Sequence, residues 1–283
     1  MLNGCAYILT VDVGNTFIRF GLFAEDSAAA QERPLATCEI TTPARITADE
    51  VRMRLAQVMA ALAADAGMPG ALVPAAAVLS CVVPALERPW KAALSRTCTG
   101  RVLTVGPGLK TGMPVHYDDP AEIGPDRIAD AVAARVVYGS PCIVIDLGTT
   151  TNIEVIDARG TFVGGVIAPG LALGARSLSA AAARLPQVEP SAPTHVIGRN
   201  TREAMRSGVV LGEVARIDGM LDMVLAEMRA TKAVGEGDVP IVITGDDAEA
   251  LAALVGHSLT VDDALTLRGL AELYRINQKP RRV

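Results

Sequence analysis

The chain has 283 residues and a mass of 29.4 kDa; 50 % of the residues are hydrophobic, 20 % charged and 3 % aromatic, and the formal net charge is −5. A chain of this length buries roughly 75 % of its unfolded surface, and its apolar content excludes disorder as the dominant state. The acidic balance and scarcity of aromatic rings exclude a polyphosphate-backbone or base-stacking surface, so no nucleic acid is expected as a partner.

Five cysteines, at 5, 38, 81, 98 and 142, are odd in number and irregular in spacing, as expected of reduced thiols in a cytoplasmic protein. His116, His195 and His257 are far apart and form no ligand pair. The start of the chain lacks the basic residues of a signal peptide. The uncharged run 66–86 is interrupted by Pro69, Gly70, Pro74 and Pro84, so no membrane association is expected. Lys279, Pro280, Arg281 and Arg282 read as a solvated basic tail.

In chain order, residues 6–13 form a β-rich apolar run ending in Asp12-Val13-Gly14-Asn15-Thr16, and 17–23 read as a second strand. A helix is predicted over 48–63, with Val51, Leu55, Val58 and Leu62 on one face. Residues 76–83 form a continuous apolar strand of the kind buried in a covered sheet, and a helix begins at Pro84. Alternating strands and helices predict an α/β fold. Half a chain later, Ile143 to Thr150 repeats the opening pattern: an apolar strand, then Asp146-Leu147-Gly148-Thr149-Thr150, then a second β-rich run. Such an offset implies two copies of one fold, with domains expected at 1–115 and 116–283 and the join in the Gly- and Pro-rich stretch 112–120. A long helix is predicted over 201–228 through Val210, Val214, Ile217, Leu221, Leu225 and Met228, and a late strand over 240–244.

A strand that enters a glycine turn lets backbone amides approach a phosphate, while hydroxyl and amide side chains add donors. An aspartate at the strand end suits Mg²⁺, which favours carboxylate oxygens and retained waters. Two copies of the Asp-x-Gly-polar-Thr order therefore point to a nucleotide clamp, and the absence of GxxxxGK[ST] means that it is not a P-loop. Asp126, in Gly124-Pro125-Asp126-Arg127 at the head of an apolar helix pattern, is either a helix cap or a base beside a substrate hydroxyl, with Arg127 gripping an anion.

The duplicated hairpin resembles the actin, sugar-kinase and heat-shock ATPase superfamily, which implies two ribonuclease-H-like (actin-like ATPase) domains, each a mixed β-sheet with flanking helices, closing on ATP. Further motifs narrow the resemblance: Ser80 to Pro84, Lys110-Thr111-Gly112, Tyr117, Gly124 to Arg127, Gly164 to Gly170, Leu185-Pro186, Asn200-Thr201, Ser207-Gly208, Gly269-Leu270 and Asn277. In this order they are similar to the type III pantothenate kinases, which phosphorylate pantothenate in the first step of coenzyme A biosynthesis.

The resemblance implies Asp126 as general base. It assigns Tyr117, Gly124, Pro125, Asp126, Arg127 and Thr201 to pantothenate, with Thr201 reaching a neighbouring subunit's site in a homodimer. It assigns Asp12, Val13, Gly14, Asn15, Thr16, Phe17, Ile18, Arg19 and Thr149 to ATP. Asp146 would hold a monovalent cation, K⁺ or NH₄⁺, and Asp12 would hold Mg²⁺ through water. Four departures from the family pattern stand out: Arg19 stands where lysine is common, Thr150-Thr151-Asn152-Ile153-Glu154 alters the second loop, Asp130 stands where asparagine is usual, and Asp246 replaces the last glycine of Thr-Gly-Gly. Asp246 is expected to add negative charge near the nucleotide. These departures leave two alternatives, a catalytically impaired regulatory or binding relative and a kinase for another small hydroxy acid.

Overall fold

The opening apolar run forms β1 (Tyr7–Val13) and β2 (Phe17–Ala24), an antiparallel hairpin whose register sets Asp12 opposite Arg19. The computed structural model describes residues 6–25, 29–68, 70–234 and 237–278. Cys5, Pro69, the start of the chain and the basic residues at 279–282 lie outside the described residues. β3 (Ala36–Thr41) pairs antiparallel with β2, and α1 (Ala48–Asp65) follows it. α1 begins where it does because Thr47 and Glu50 form a reciprocal capping box: Glu50 Oε2 accepts from the Thr47 amide at 2.8 Å, and Thr47 Oγ1 accepts from the Glu50 amide at 3.3 Å. β4 (Ala76–Cys81) then runs parallel to β1, and α2 (Pro84–Thr97) starts on a proline, whose missing amide costs nothing at a helix start. β5 (Val102–Thr104) completes a sheet of order β3-β2-β1-β4-β5. The predicted face of α1 (Val51, Leu55, Val58, Leu62) packs with Leu86, Trp90 and Leu94 of α2 against Leu9, Val11 and Leu79 of the sheet.

α3 (Pro125–Tyr138) leads to a second sheet. β6 (Cys142–Leu147), β7 (Thr150–Ile156) and β8 (Phe162–Pro169) are antiparallel neighbours, followed by α4 (Leu171–Ala181). α5 (Thr201–Arg206), a π-helical stretch at Ser207–Leu211 and α6 (Gly212–Ala230) realise the long predicted helix. β9 (Ile241–Gly245) is parallel to β6, α7 (Ala248–Ala252) follows, β10 (Thr260–Val261) is parallel to β9, and α8 (Leu265–Ile276) comes last. The order β10-β9-β6-β7-β8 retraces the first sheet strand for strand, so the duplication read from two aspartates extends to whole sheets. Val210, Val214, Ile217, Leu221 and Met228 are buried against Ile143, Ile145 and Ile243. That stripe is core packing within its own sheet.

Packing divides the chain into one unit of Met1–Val137 with Ala264–Val283 and a second of Tyr138–Asp263. The division falls later than the 115/116 boundary expected from sequence, because α3 and α8 both belong to the first unit. α8 packs on β1, β2 and β4, and Leu267 and Ala271 close over Phe23. Asn277, just past α8, accepts from the Lys110 amide at 3.1 Å and donates to the Lys110 carbonyl at 2.8 Å. The Gly112 carbonyl accepts from Arg135 of α3. The Lys-Thr-Gly segment is thereby fastened inside the first unit. No helix among the described residues is long and apolar enough to cross a membrane.

The backbones of α3 and α8 touch at one point: a Cβ on Gly269 would lie 1.9 Å from the Ala129 carbonyl oxygen. Gly269→Ala must therefore part the two helices, and we expect it to destabilise the protein by about 1–3 kcal/mol or more, read as a lower midpoint in urea unfolding.

Candidate active site

In the first unit, Asp12 lies next to last in β1 and is 7 % exposed. The turn after it is closed by the Gly14 amide donating to the Phe17 carbonyl at 3.0 Å. The end of β3 pins the same turn: Thr42 Oγ1 donates to the Gly14 carbonyl at 2.7 Å and its amide to the Thr16 carbonyl at 2.9 Å. Val13 and Ile18 face the core, whereas Asn15 and Thr16 are exposed, as a turn that offers donors to a ligand requires. Arg19 is ion-paired with Glu39 at 3.0 Å, so the first-loop cation is already partly neutralised on its open side.

Burial pushes the Asp12 carboxyl up to about 6; the Asp126 carboxylate adds to the rise, and Ser80 and Arg19 oppose it. Ser80 is its register partner on β4, while Asp12 Oδ1 is left without a hydrogen-bond partner. Asp126 therefore stands within electrostatic reach of Asp12. It occupies the first turn of α3 behind Pro125, where its Oδ1 accepts from the Arg127 amide at 2.8 Å. Desolvation raises its pKa; the Arg127 amide and guanidinium draw it back. Arg127 itself is 5 % exposed. A Cβ on Gly124 would come 2.4 Å from Asp126 Oδ1, so a side chain at 124 would displace the carboxylate. The half-buried Tyr117 lies on the loop leading to α3. Beside Pro125, a cavity of about 390 Å³ is lined by Cys81, Val105, Leu109, Met113, Ile123 and Ile128, all apolar or weakly polar.

In the second unit, Asp146 and Thr149 occupy the equivalent strand end and turn. The Gly148 amide donates to the Thr150 carbonyl at 3.0 Å, and the Gly170 amide to the Thr149 carbonyl at 3.1 Å. Gly245 closes on this turn from β9. Its φ is +89°, and a Cβ there would lie 2.1 Å from the Leu147 carbonyl oxygen and 2.7 Å from Asp146 Oδ1. Asp246 follows at once, its amide donating to the Leu147 carbonyl at 2.6 Å, which places this departure beside the second loop. Thr201, exposed, is the first residue of α5, which is capped by Asn200 accepting from the Glu203 amide at 3.0 Å. Among the described residues, no group of three or more His, Cys, Asp and Glu side chains could hold a metal ion.

Two glycine turns on equivalent strands, each behind an aspartate, mark a duplicated α/β protein. A sequence model of the type III pantothenate kinases matches residues 8–223. The chain is 38 % identical over 275 residues to the type III pantothenate kinase of Koribacter versatilis, with 96 % of each chain covered. It is 40 % identical to that of Nocardia farcinica, covering 97 % of this chain and 99 % of the relative. The chain belongs to the type III pantothenate kinase family. Among solved structures it resembles in fold a protein described as a Baf family transcriptional activator from Campylobacter jejuni, with a TM-score of 0.57 at 18 % identity, covering 95 % of this chain and 98 % of that one. It also resembles the ethanolamine utilization protein EutJ from Carboxydothermus hydrogenoformans, with a TM-score of 0.51 at 15 % identity over 94 % of this chain and 89 % of that one.

The raised pKa of Asp12 carries a consequence for stability. The folded state holds the Asp12 proton more tightly than the unfolded chain, so stability is fullest below the ordinary value of 3.8 and falls as pH rises through about 6. The loss is about 3 kcal/mol. Asp12→Asn should match the wild type near pH 4 and melt higher than it above pH 6, measured by thermal unfolding of the ligand-free protein across pH.

Proposed function

We propose that the chain phosphorylates pantothenate with ATP, forming 4′-phosphopantothenate for coenzyme A biosynthesis, with Asp126 as the general base. The observation that carries this reading is two desolvated carboxyls, Asp12 at a glycine turn and Asp126 at a helix start, with the charge of Asp126 felt at Asp12. Burial raises the Asp126 pKa, which strengthens it as a base, while the Arg127 amide and guanidinium favour its ionised form. Asp126 takes the proton of the primary hydroxyl as that oxygen attacks the γ-phosphorus. Arg127, with Tyr117, Gly124, Pro125 and Thr201, holds and orients pantothenate, and the apolar cavity beside Pro125 suits its geminal methyl groups. Residues Asp12 to Arg19 and Thr149 hold ATP through turn amides and hydroxyls.

The unpartnered, buried Asp12 Oδ1 fits a Mg²⁺ ion carried by the nucleotide and reached through water. Asp146, whose carboxylate lies beside the Leu147 carbonyl where Gly245 closes on the turn, offers oxygen donors of the kind that K⁺ or NH₄⁺ would take. When bound, these ions offset the charge on the transferring phosphoryl group. The remaining work is positioning and charge neutralisation, which this set of side chains can supply. The resemblance extends the reading to a cytoplasmic homodimer in which Thr201 serves the neighbouring subunit.

ADP release on addition of pantothenate, in potassium buffer, tests the assignment. Asp126→Asn should lower kcat by about 10²-fold or more with the KM for ATP nearly unchanged. A fully active variant removes Asp126 from the chemistry. Release with another hydroxy acid but not with pantothenate moves the substrate, and no release with any marks a binding protein. Replacing K⁺ by Na⁺ should depress the rate of the wild type and leave Asp146→Ala, already slow, unmoved.

A further inference from the structure

Within the second unit a buried carboxylate that no motif singles out is tied to the second turn. Glu213, the second residue of α6, has a side chain 4 % exposed. Its Oε1 accepts from Thr151 Oγ1 at 2.6 Å, and Thr151 is itself 3 % exposed. Its other oxygen pairs with Arg216 one helical turn on. Arg216 also donates to the Pro169 carbonyl at 2.6 Å, at the last residue of β8. Pro169 is the register partner of Thr150, and Gly170, next to it, donates to the Thr149 carbonyl at 3.1 Å. A Cβ on Gly170 would lie 2.2 Å from the Gly148 carbonyl oxygen. One carboxylate and one guanidinium therefore hold β7, which leaves the turn Gly148–Thr149, and the end of β8 that pairs with it, from the side of α6.

The helix is built to place them. The π-helical stretch Ser207–Leu211 ends one residue before α6, and a single inserted residue rotates all that follows by about 100° about the helix axis. Glu213 follows directly after that shift. A buried glutamate with both oxygens engaged is costly to install and specific in direction, as expected of a device that fixes geometry.

We propose that Glu213, with Arg216, is a positioning residue that sets the second phosphate turn through Thr151, so that Thr149 and its neighbouring amides present to ATP in one geometry. The proposal rests on the reading above that this turn serves ATP. It touches neither pantothenate nor the base, so its loss falls on the nucleotide side.

Steady-state kinetics of the full chain in potassium buffer provide the test. Thr151→Val keeps the shape and removes the hydroxyl; Glu213→Ala removes the acceptor. Each should raise the KM for ATP about tenfold, while the KM for pantothenate stays within about twofold. The double variant should be no worse than the poorer single, since both break one link. Glu213→Gln, which can still accept from Thr151, should recover most of the ATP affinity. Thr149→Ala is the control for the underlying reading. If it raises the KM for ATP while Thr151→Val does not, the positioning role is overturned. If Thr149→Ala itself leaves the KM for ATP unchanged, the turn does not serve ATP and the proposal fails with that reading. Equal losses on both substrates, or additive effects in the double variant, mark Glu213 as a packing residue and overturn the proposal; Thr151→Val decides alone if Glu213→Ala does not fold.

Discussion

A carboxyl group taken out of water at the end of a central strand is unfavourable as an anion, and the first unit is arranged around that of Asp12. β1 lies in the middle of its sheet, so the Asp12 side chain is shielded on both flanks, and Ser80 opposite leaves one oxygen unpaired. Asp126 raises the tension and Arg19 lowers it. The N-terminal turn of α3 must therefore stand close to the end of β1, and the position of α3 is in turn set by the backbone contact between Gly269 and Ala129. A hydrophobic core would fold without any of this. The unrelieved charge makes sense where a cation completes the environment.

The two units use one device in two versions. In the first, the end of the third strand closes over the turn through Thr42; in the second, Gly170 does so at the equivalent place. The second adds the close approach of Gly245 and the brace from Glu213, which together confine its turn on three sides. The first turn has exposed Asn15 and Thr16 at its tip. One hairpin is thus the more open of the pair and the other the more constrained, although both descend from the same strand order.

Both hairpins, the α1 face and the helix through Val210 and Leu221 were legible in the sequence because each depends on local periodicity and a glycine turn. Asp126 at a helix start was legible too, since Pro125 and the apolar spacing mark the boundary. The placement of α8 was not: nothing local tells that residues past 264 return to β1, or that Gly269 will meet Ala129 and Asn277 will meet Lys110, partners more than a hundred residues earlier. For the same reason the Gly- and Pro-rich stretch near 112 looked like a join but is fastened by Asn277 and Arg135. β3 and β8 were missed because edge strands mix exposed and buried positions. His257 looked isolated along the chain, yet it meets Asp218 at 2.9 Å and Asp222 at 3.3 Å. Glu213 carried no signal, because a glutamate in a helix is ordinarily solvated.

The second unit is a single uninterrupted segment, and its two ends are held together by Tyr138 Oη donating to Asp262 Oδ2 at 3.0 Å. The first unit, by contrast, is assembled from an early stretch and a late one. During synthesis the unit begun first therefore waits, with one face of β1 and β4 uncovered, until α8 emerges. Chaperone dependence and truncation sensitivity should accordingly concentrate on the older half of the nascent chain.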